Sequence, residues 1–117
     1  MTMNLLSIEK IGLQAVMEHL EKKGYERIKR SQNKNHDLDA WKSGIKYPIE
    51  VKTRSGERIS PSMTVSINEY RLFKENPNAL LILVCLDKNT QKVKEIQEFR
   101  FKDIERTEIS EYRIWFK

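Results

Sequence analysis

Hydrophobic residues near the start of the chain recur with the spacing of a helix. They predict an amphipathic helix from about Ser7 to Lys23, in which Ser7 caps the N-terminus and Gly24 supplies the left-handed stop. A second helix is predicted from Ser66 to Asn76, because its first residues form a Ser-x-x-Glu capping box and a proline follows its end.

Other parts of the chain have the hydrophobic patterns of strands. The predicted strands are Tyr25 to Lys29, His36 to Trp41, Tyr47 to Arg54, Ala79 to Leu86, Lys92 to Phe101 and Tyr112 to Phe116. With the helices included, the first five give the order α-β-β-β-α-β-β, and the sixth would add an edge strand. This order predicts an α/β fold with a mixed central β-sheet flanked by helices, and residues 1–117 are expected to form a single domain.

The second and third strands are expected to form a hairpin around Ser43-Gly44, a sequence suited to a two-residue turn. Their apolar residues share one face, which fixes the register. Counting back from the turn places Asp37 directly opposite Glu50. The side chains of Asp37, Asp39, Glu50 and Lys52 should then project together from the other face.

Two carboxylates that face each other across a strand ladder repel unless a cation lies between them. A divalent ion, Mg²⁺ or Mn²⁺, is the natural candidate, because carboxylates and phosphates bind it together. Lys52 would reach the same phosphate or the attacking water, so the pattern indicates phosphodiester hydrolysis by Asp37, Glu50 and Lys52. The alternative is an exposed hairpin face on which mixed charges only interact with solvent.

The first helix carries one acid on its apolar side. Glu9 falls within the apolar arc of the helical wheel and could serve as a third metal ligand. It could equally be a first-turn acid that interacts with the helix dipole. His36 is adjacent to Asp37 but is expected on the opposite face of its strand, which argues against a role as a metal ligand.

Basic residues near the hairpin suit a polyanionic partner. The net charge is +5, which fits phosphate binding but also an ordinary lysine-rich surface. Arg54 continues the face of Glu50 and Lys52 and is the best candidate for a phosphate contact. Further candidates for nucleic-acid binding flank the hairpin in sequence: Lys29, Arg30, Lys34 and Arg58.

The composition argues against several other classes of protein. The single cysteine, Cys85, cannot form an internal disulfide or a thiolate zinc cluster. The longest apolar run, Ala79 to Leu86, is too short to cross a membrane, and the N-terminus lacks the order of a signal peptide. A cytoplasmic location without membrane attachment is therefore expected.

The segments HDLDAW and PIEVKT resemble the PD-(D/E)xK nuclease superfamily, which includes restriction endonucleases, archaeal Holliday-junction resolvases and Mrr-type enzymes. Within that group the chain looks most similar to the C-terminal domain of the plant NO VEIN protein, on Asp37-Leu38, Ile49 to Lys52 and Asn68-Glu69. The resemblance implies a restriction-endonuclease-like fold and a metal bound by Asp37, Glu50 and the Val51 carbonyl. Relatives often carry Gly-Glu in the first helix, whereas this chain has Gly12-Leu13, so Glu9 would have to substitute.

The sequence is compatible with three classes of function. The first is a DNA endonuclease that depends on Mg²⁺ or Mn²⁺. The second is a nuclease-fold module that binds nucleic acid or a protein partner without turnover, and the third is a structural domain. A homodimer is expected if the chain cuts both strands of a duplex, because two sites related by a two-fold axis suit that reaction.

Overall fold

The chain forms two α-helices, one short 3-10 helix (Phe101–Asp103) and eight strands within residues 5–32, 36–59, 62–108 and 113–117, the ranges that this computed structural model describes. The α-helices are α1 (Leu5–Lys22) and α2 (Ile67–Glu75). The strands are β1 (Glu26–Arg30), β2 (Leu38–Lys42), β3 (Ile45–Ser55), β4 (Ser62–Thr64), β5 (Leu80–Leu86), β6 (Val93–Phe99), β7 (Ile104–Glu108) and β8 (Arg113–Phe116). No helix in these ranges has the length and apolar character needed to span a membrane.

Five strands form a mixed central sheet in the order β1-β2-β3-β5-β6. Strands β3 and β5 run parallel, and the other neighbours in this sheet are antiparallel. A second, antiparallel sheet has the order β4-β8-β7. The predicted α/β class and mixed central sheet are confirmed.

Strand β5 lies between two hydrophobic cores and is buried along its whole length, as its continuous apolar run predicts. The core on the α1 side includes Val16, Leu20, Leu38, Ala40, Ile49, Ile82 and Leu86. The core on the α2 side includes Met63, Val65, Phe73, Leu81, Leu83 and Ile114. Alternate residues of β5 therefore point into different cores.

The hairpin of β2 and β3 has the predicted register. Lys42 pairs with Ile45 and Leu38 pairs with Ile49. Ser43 and Gly44 both have positive φ angles, 53° and 77°, as a type I′ turn requires. However, β2 begins only at Leu38, so the prediction that His36 and Asp37 belong to this strand is wrong.

The start of α2 is also as predicted. The Ser66 hydroxyl accepts from the Glu69 backbone N–H at 3.1 Å, and the Glu69 carboxylate accepts from the Ser66 N–H at 2.8 Å. These two bonds complete the capping box. Helix α1 instead begins at Leu5, so the predicted N-cap, Ser7, lies inside the helix.

The strands outside the central sheet were predicted less well. The C-terminal strand β8 is the middle strand of the second sheet and not an edge strand of the first. Tyr112, its predicted first residue, lies outside the described residues. Neither β4 nor β7 was predicted, because β4 has only three residues and β7 lacks a clear alternation.

Helix α1 crosses β3 at very close range. A Cβ atom built on Gly12 would lie 1.8 Å from the Thr53 hydroxyl oxygen, so only glycine fits this crossing. Glu9 and Leu13, which lie one turn before and one residue after Gly12, border the same edge of the central sheet. The crossing therefore places the start of α1 beside the second half of β3.

Candidate active site

The central sheet changes partners along β3, and a cavity opens at that point. β2 pairs with β3 from Ile45 to Ile49, whereas β5 pairs with it from Ile49 to Ser55. Within the described ranges, the second half of β3 therefore has no neighbouring strand on its β2 side. A cavity of about 610 Å³ lies there, and the residues that line it include Glu9, Arg30, Asp37, Glu50, Lys52, Arg54 and Glu69.

Asp37 is held at the corner of this cavity by two hydrogen bonds. Its backbone N–H donates to the Ile49 carbonyl at 3.0 Å, and its carboxylate accepts from the Val51 N–H at 2.8 Å. The carboxylate thus takes the place that a β2 carbonyl would occupy if the strand continued. Because the N–H and C=O of a strand residue point to the same edge, the Val51 carbonyl also faces the open side.

Glu50 lies between two other acids. It is aligned with Leu81 of β5, so its side chain lies on the face that packs against α2. Burial, together with hydrogen bonds to the carboxyl groups of Asp37 and Glu69, raises the pKa of Glu50 well above its usual range. A hydrogen bond between two carboxyl groups needs a proton on one of them, and the raised pKa favours the protonated form of Glu50.

Lys52 is paired with an acid from the second helix. Its ammonium lies 2.9 Å from the Glu69 carboxylate, and both side chains are partly buried. Burial acts to raise the pKa of Glu69, but hydrogen bonds from Glu50, the Ser66 backbone and Lys52 outweigh it and lower the pKa. The lowered pKa favours the charged form of Glu69, and the Lys52 ammonium lies against that carboxylate.

Two of the predicted metal ligands are in contact, and a third lines the same cavity. Glu50 contacts Asp37 directly, whereas Glu9 is exposed and lines the same cavity. Among the residues whose positions are described, no group of three His, Cys, Asp or Glu side chains converges closely enough to hold a metal ion. The carboxyl and carbonyl oxygens here are nonetheless the donors that Mg²⁺ and Mn²⁺ prefer.

The predicted nucleic-acid contacts fall in three places. Arg30 and Arg54 line the site cavity, and Arg54 and Arg58 line a smaller neighbouring cavity of about 190 Å³. The Lys29 ammonium lies 5.3 Å from the centre of the Trp41 ring, away from the site cavity. Lys34 lies outside the described residues.

His36 differs from its prediction. It precedes β2, so strand alternation does not apply to it, and it lines the same cavity as Asp37. Its Nε2 atom lies 2.7 Å from the Asp39 carboxylate, and both side chains are buried. Asp39 was expected on the site face, but it bonds to His36 instead and does not line the cavity.

Sequence reasoning did not identify Glu69 as part of the site. The Ser-x-x-Glu pattern accounted for it as a helix cap, which the structure confirms. One carboxylate oxygen accepts from the Ser66 N–H in that cap, and the other accepts from the Lys52 ammonium. No local pattern indicates the second contact, because it depends on how α2 packs beside β3.

Comparisons with known proteins identify a protein of similar fold and the family to which the chain belongs. The fold is similar to that of Archaeoglobus fulgidus Hjc, described as a Holliday junction resolvase from an archaeal hyperthermophile. The TM-score is 0.55 at 20% identity, covering 86% of this chain and 83% of that chain. No curated protein matches the sequence. The family described as Protein NO VEIN, C-terminal matches residues 8–97. The chain belongs to this family of NO VEIN C-terminal domains, and its fold is that of the PD-(D/E)xK, restriction-endonuclease-like proteins.

Proposed function

We propose that this chain is a metal-dependent DNA endonuclease that hydrolyses phosphodiester bonds, with Asp37, Glu50 and Lys52 as its catalytic residues. The observation that supports this most is the contact of Glu50 with Asp37 at an open cavity. Lys52 follows Glu50 on the same face of the same strand. A buried carboxyl group beside two other acids is unfavourable when ionised, and a bound cation would remove that penalty.

The oxygen donors at the edge of β3 fit Mg²⁺ or Mn²⁺. Asp37, Glu50 and the Val51 carbonyl would hold the ion, with Glu9 as a further ligand from α1. Such an ion, when bound, supplies an activated water and neutralises negative charge that develops on the phosphate. Glu9 is exposed, whereas Asp37, Glu50 and Val51 are partly buried.

The protein's own side chains would orient the DNA. The Lys52 ammonium would donate a hydrogen bond to a phosphate oxygen or to the attacking water. Arg30 and Arg54 line the same cavity and would bind the phosphates on either side. Arg58 and Lys29 would extend the basic track beyond the cavity, and Lys34 stays a candidate DNA contact from the sequence alone.

A nuclease-fold module that binds DNA or a protein partner without turnover is the second candidate. It is favoured by the lack of three convergent metal-binding side chains within the described ranges. Leu13, which borders the site cavity, stands where relatives of this kind often carry an acid. This candidate predicts nucleic-acid or protein binding with no cleavage at any metal concentration.

A cleavage assay distinguishes the two candidates. Single-stranded, duplex and branched DNA would be incubated with Mg²⁺, Mn²⁺ or EDTA, and metal binding would be measured in parallel by calorimetry. We expect cleavage that needs the metal and is lost in Lys52→Ala, with Lys88→Ala as a matched control in an exposed turn. DNA binding without cleavage or metal uptake would support the second candidate and refute the first.

A homodimer would let two sites cut opposite strands of a duplex. Size-exclusion chromatography with light scattering, with and without DNA, tests this part of the proposal. A monomer under both conditions would refute it.

A further inference from the structure

Glu69 joins two parts of the structure through its two carboxylate oxygens. One oxygen accepts from the Ser66 backbone N–H at 2.8 Å and closes the capping box of α2. The other accepts from the Lys52 ammonium at 2.9 Å. The side chain is 18% exposed, so this contact is shielded from much of the solvent. A residue that caps a helix thus also holds a lysine of the candidate active site.

Lys52 needs such a partner to keep a defined position. A lysine side chain has a flexible stem of four carbons, and its ammonium group can donate hydrogen bonds in many directions. Within the described part of the chain, Glu69 is the carboxylate that forms an ion pair with it. The capping box fixes Glu69 in turn, because its second oxygen is already bound to the helix terminus.

We propose that Glu69 is a positioning residue, whose carboxylate holds the Lys52 ammonium beside the N-terminus of α2 at the point where a phosphodiester would enter. The ion pair is independent of any activity, but its consequence for catalysis rests on the function proposed above. The position of the Lys52 ammonium would then depend on the capped helix α2 as well as on strand β3. Ground-state binding of DNA would depend little on Glu69.

Two substitutions separate the cap from the ion pair. Glu69→Gln keeps the capping box, because glutamine at this helix position supports the same backbone bond, but it removes the charge that holds Lys52. Ser66→Ala removes the hydroxyl that caps the helix and leaves the Glu69 carboxylate in place. A role for Glu69 in helix stability alone would make Ser66→Ala the more harmful change.

The position of Lys52 can be measured without any activity. Acetylation of lysines by a small reagent, followed by mass spectrometry, gives the labelling rate of Lys52 relative to the exposed Lys88. We expect Glu69→Gln to raise this relative rate about fivefold and Ser66→Ala to leave it nearly unchanged. An unchanged rate in Glu69→Gln, or an equal increase in Ser66→Ala, would overturn the proposal.

Cleavage kinetics then test the catalytic consequence. At saturating metal we expect kcat in Glu69→Gln to fall by about tenfold or more, while KM stays near the wild-type value. Ser66→Ala should keep the wild-type kcat at a temperature where it is folded. Wild-type kcat in Glu69→Gln would overturn the positioning role. If the wild-type chain cuts no DNA but the labelling contrast holds, the nuclease proposal fails and the placement of Lys52 by Glu69 stands.

Discussion

Replacing Glu50 with glutamine should stabilise the metal-free protein at neutral pH. Glutamine has the shape of a protonated glutamate and can bond to the same neighbours without a proton from solution. Because burial and the neighbouring acids raise the pKa of Glu50 from 4.5 in the folded state, its contribution to stability is complete below pH 4.5. That contribution is lost as the pH rises towards the folded-state pKa, and the Gln variant does not lose it.

The size of the effect follows from the proton that Glu50 must keep. Between its ordinary pKa of 4.5 and pH 7, retention of that proton costs up to about 3 kcal/mol. The side chain is only partly buried, and solvent screening should reduce the gain in the variant to about 1–2 kcal/mol. For a chain of 117 residues, this corresponds to an increase in Tm of about 4–8 °C.

Urea unfolding followed by circular dichroism, in EDTA at pH 4.5 and pH 7.5, measures this difference. Glu50→Gln should have a higher free energy of unfolding than wild type at pH 7.5, and this difference should disappear at pH 4.5. Glu18→Gln on the exposed side of α1 serves as a control with the same change of charge. Excess Mg²⁺ or Mn²⁺ should stabilise the wild type alone. Equal or lower stability of Glu50→Gln at pH 7.5 would refute the reasoning.

Three further predictions concern the scaffold around the site. Gly12→Ala should lower the free energy of unfolding by about 1–3 kcal/mol in urea titrations, because the added methyl group collides with Thr53; a neutral outcome would mean that α1 can shift. Ser43→Asn should raise the Tm by a few degrees in calorimetry, because asparagine suits the positive φ of this turn better than serine, and a decrease would contradict the turn geometry. Burial acts to raise the pKa of Glu98, but its bonds to Lys23 and His19 outweigh burial and lower the pKa. Glu98 therefore stabilises the fold above its ordinary pKa of 4.5, and this stabilisation is lost as the pH falls. Glu98→Gln should lower the free energy of unfolding by about 1 kcal/mol at pH 7 in urea titrations, and by much less at pH 3. A decrease that does not depend on pH would show that this ion pair is not its source.

The hairpin shows how much of the site the sequence alone could predict. A two-residue turn and the alternation of Leu38, Ala40 and Ile49 allow one register, and that register is observed. It brings Asp37 and Glu50 together, as expected. The error at His36 arose because alternation was extended past the true start of β2, where the chain leaves the sheet.

Contacts between distant segments could not be predicted in the same way. The capping box of α2 is a local pattern, and it was identified correctly. The bond between Glu69 and Lys52 depends on the packing of α2 against the sheet, which no short window of sequence contains. The second sheet was missed for the same reason, since β4, β7 and β8 are short and their pairing joins segments that are distant in sequence.

The position of β5 has a consequence for how the molecule unfolds. A chain with two hydrophobic cores could in principle lose one and keep the other. Here Ile82 faces one core and its neighbour Leu83 faces the other, so neither core can open without disturbing the same strand. We therefore expect both cores to be lost in one cooperative transition, with the same midpoint for tryptophan fluorescence and for far-ultraviolet circular dichroism. The slowest amide exchange should be found along β5, at the free energy of global unfolding.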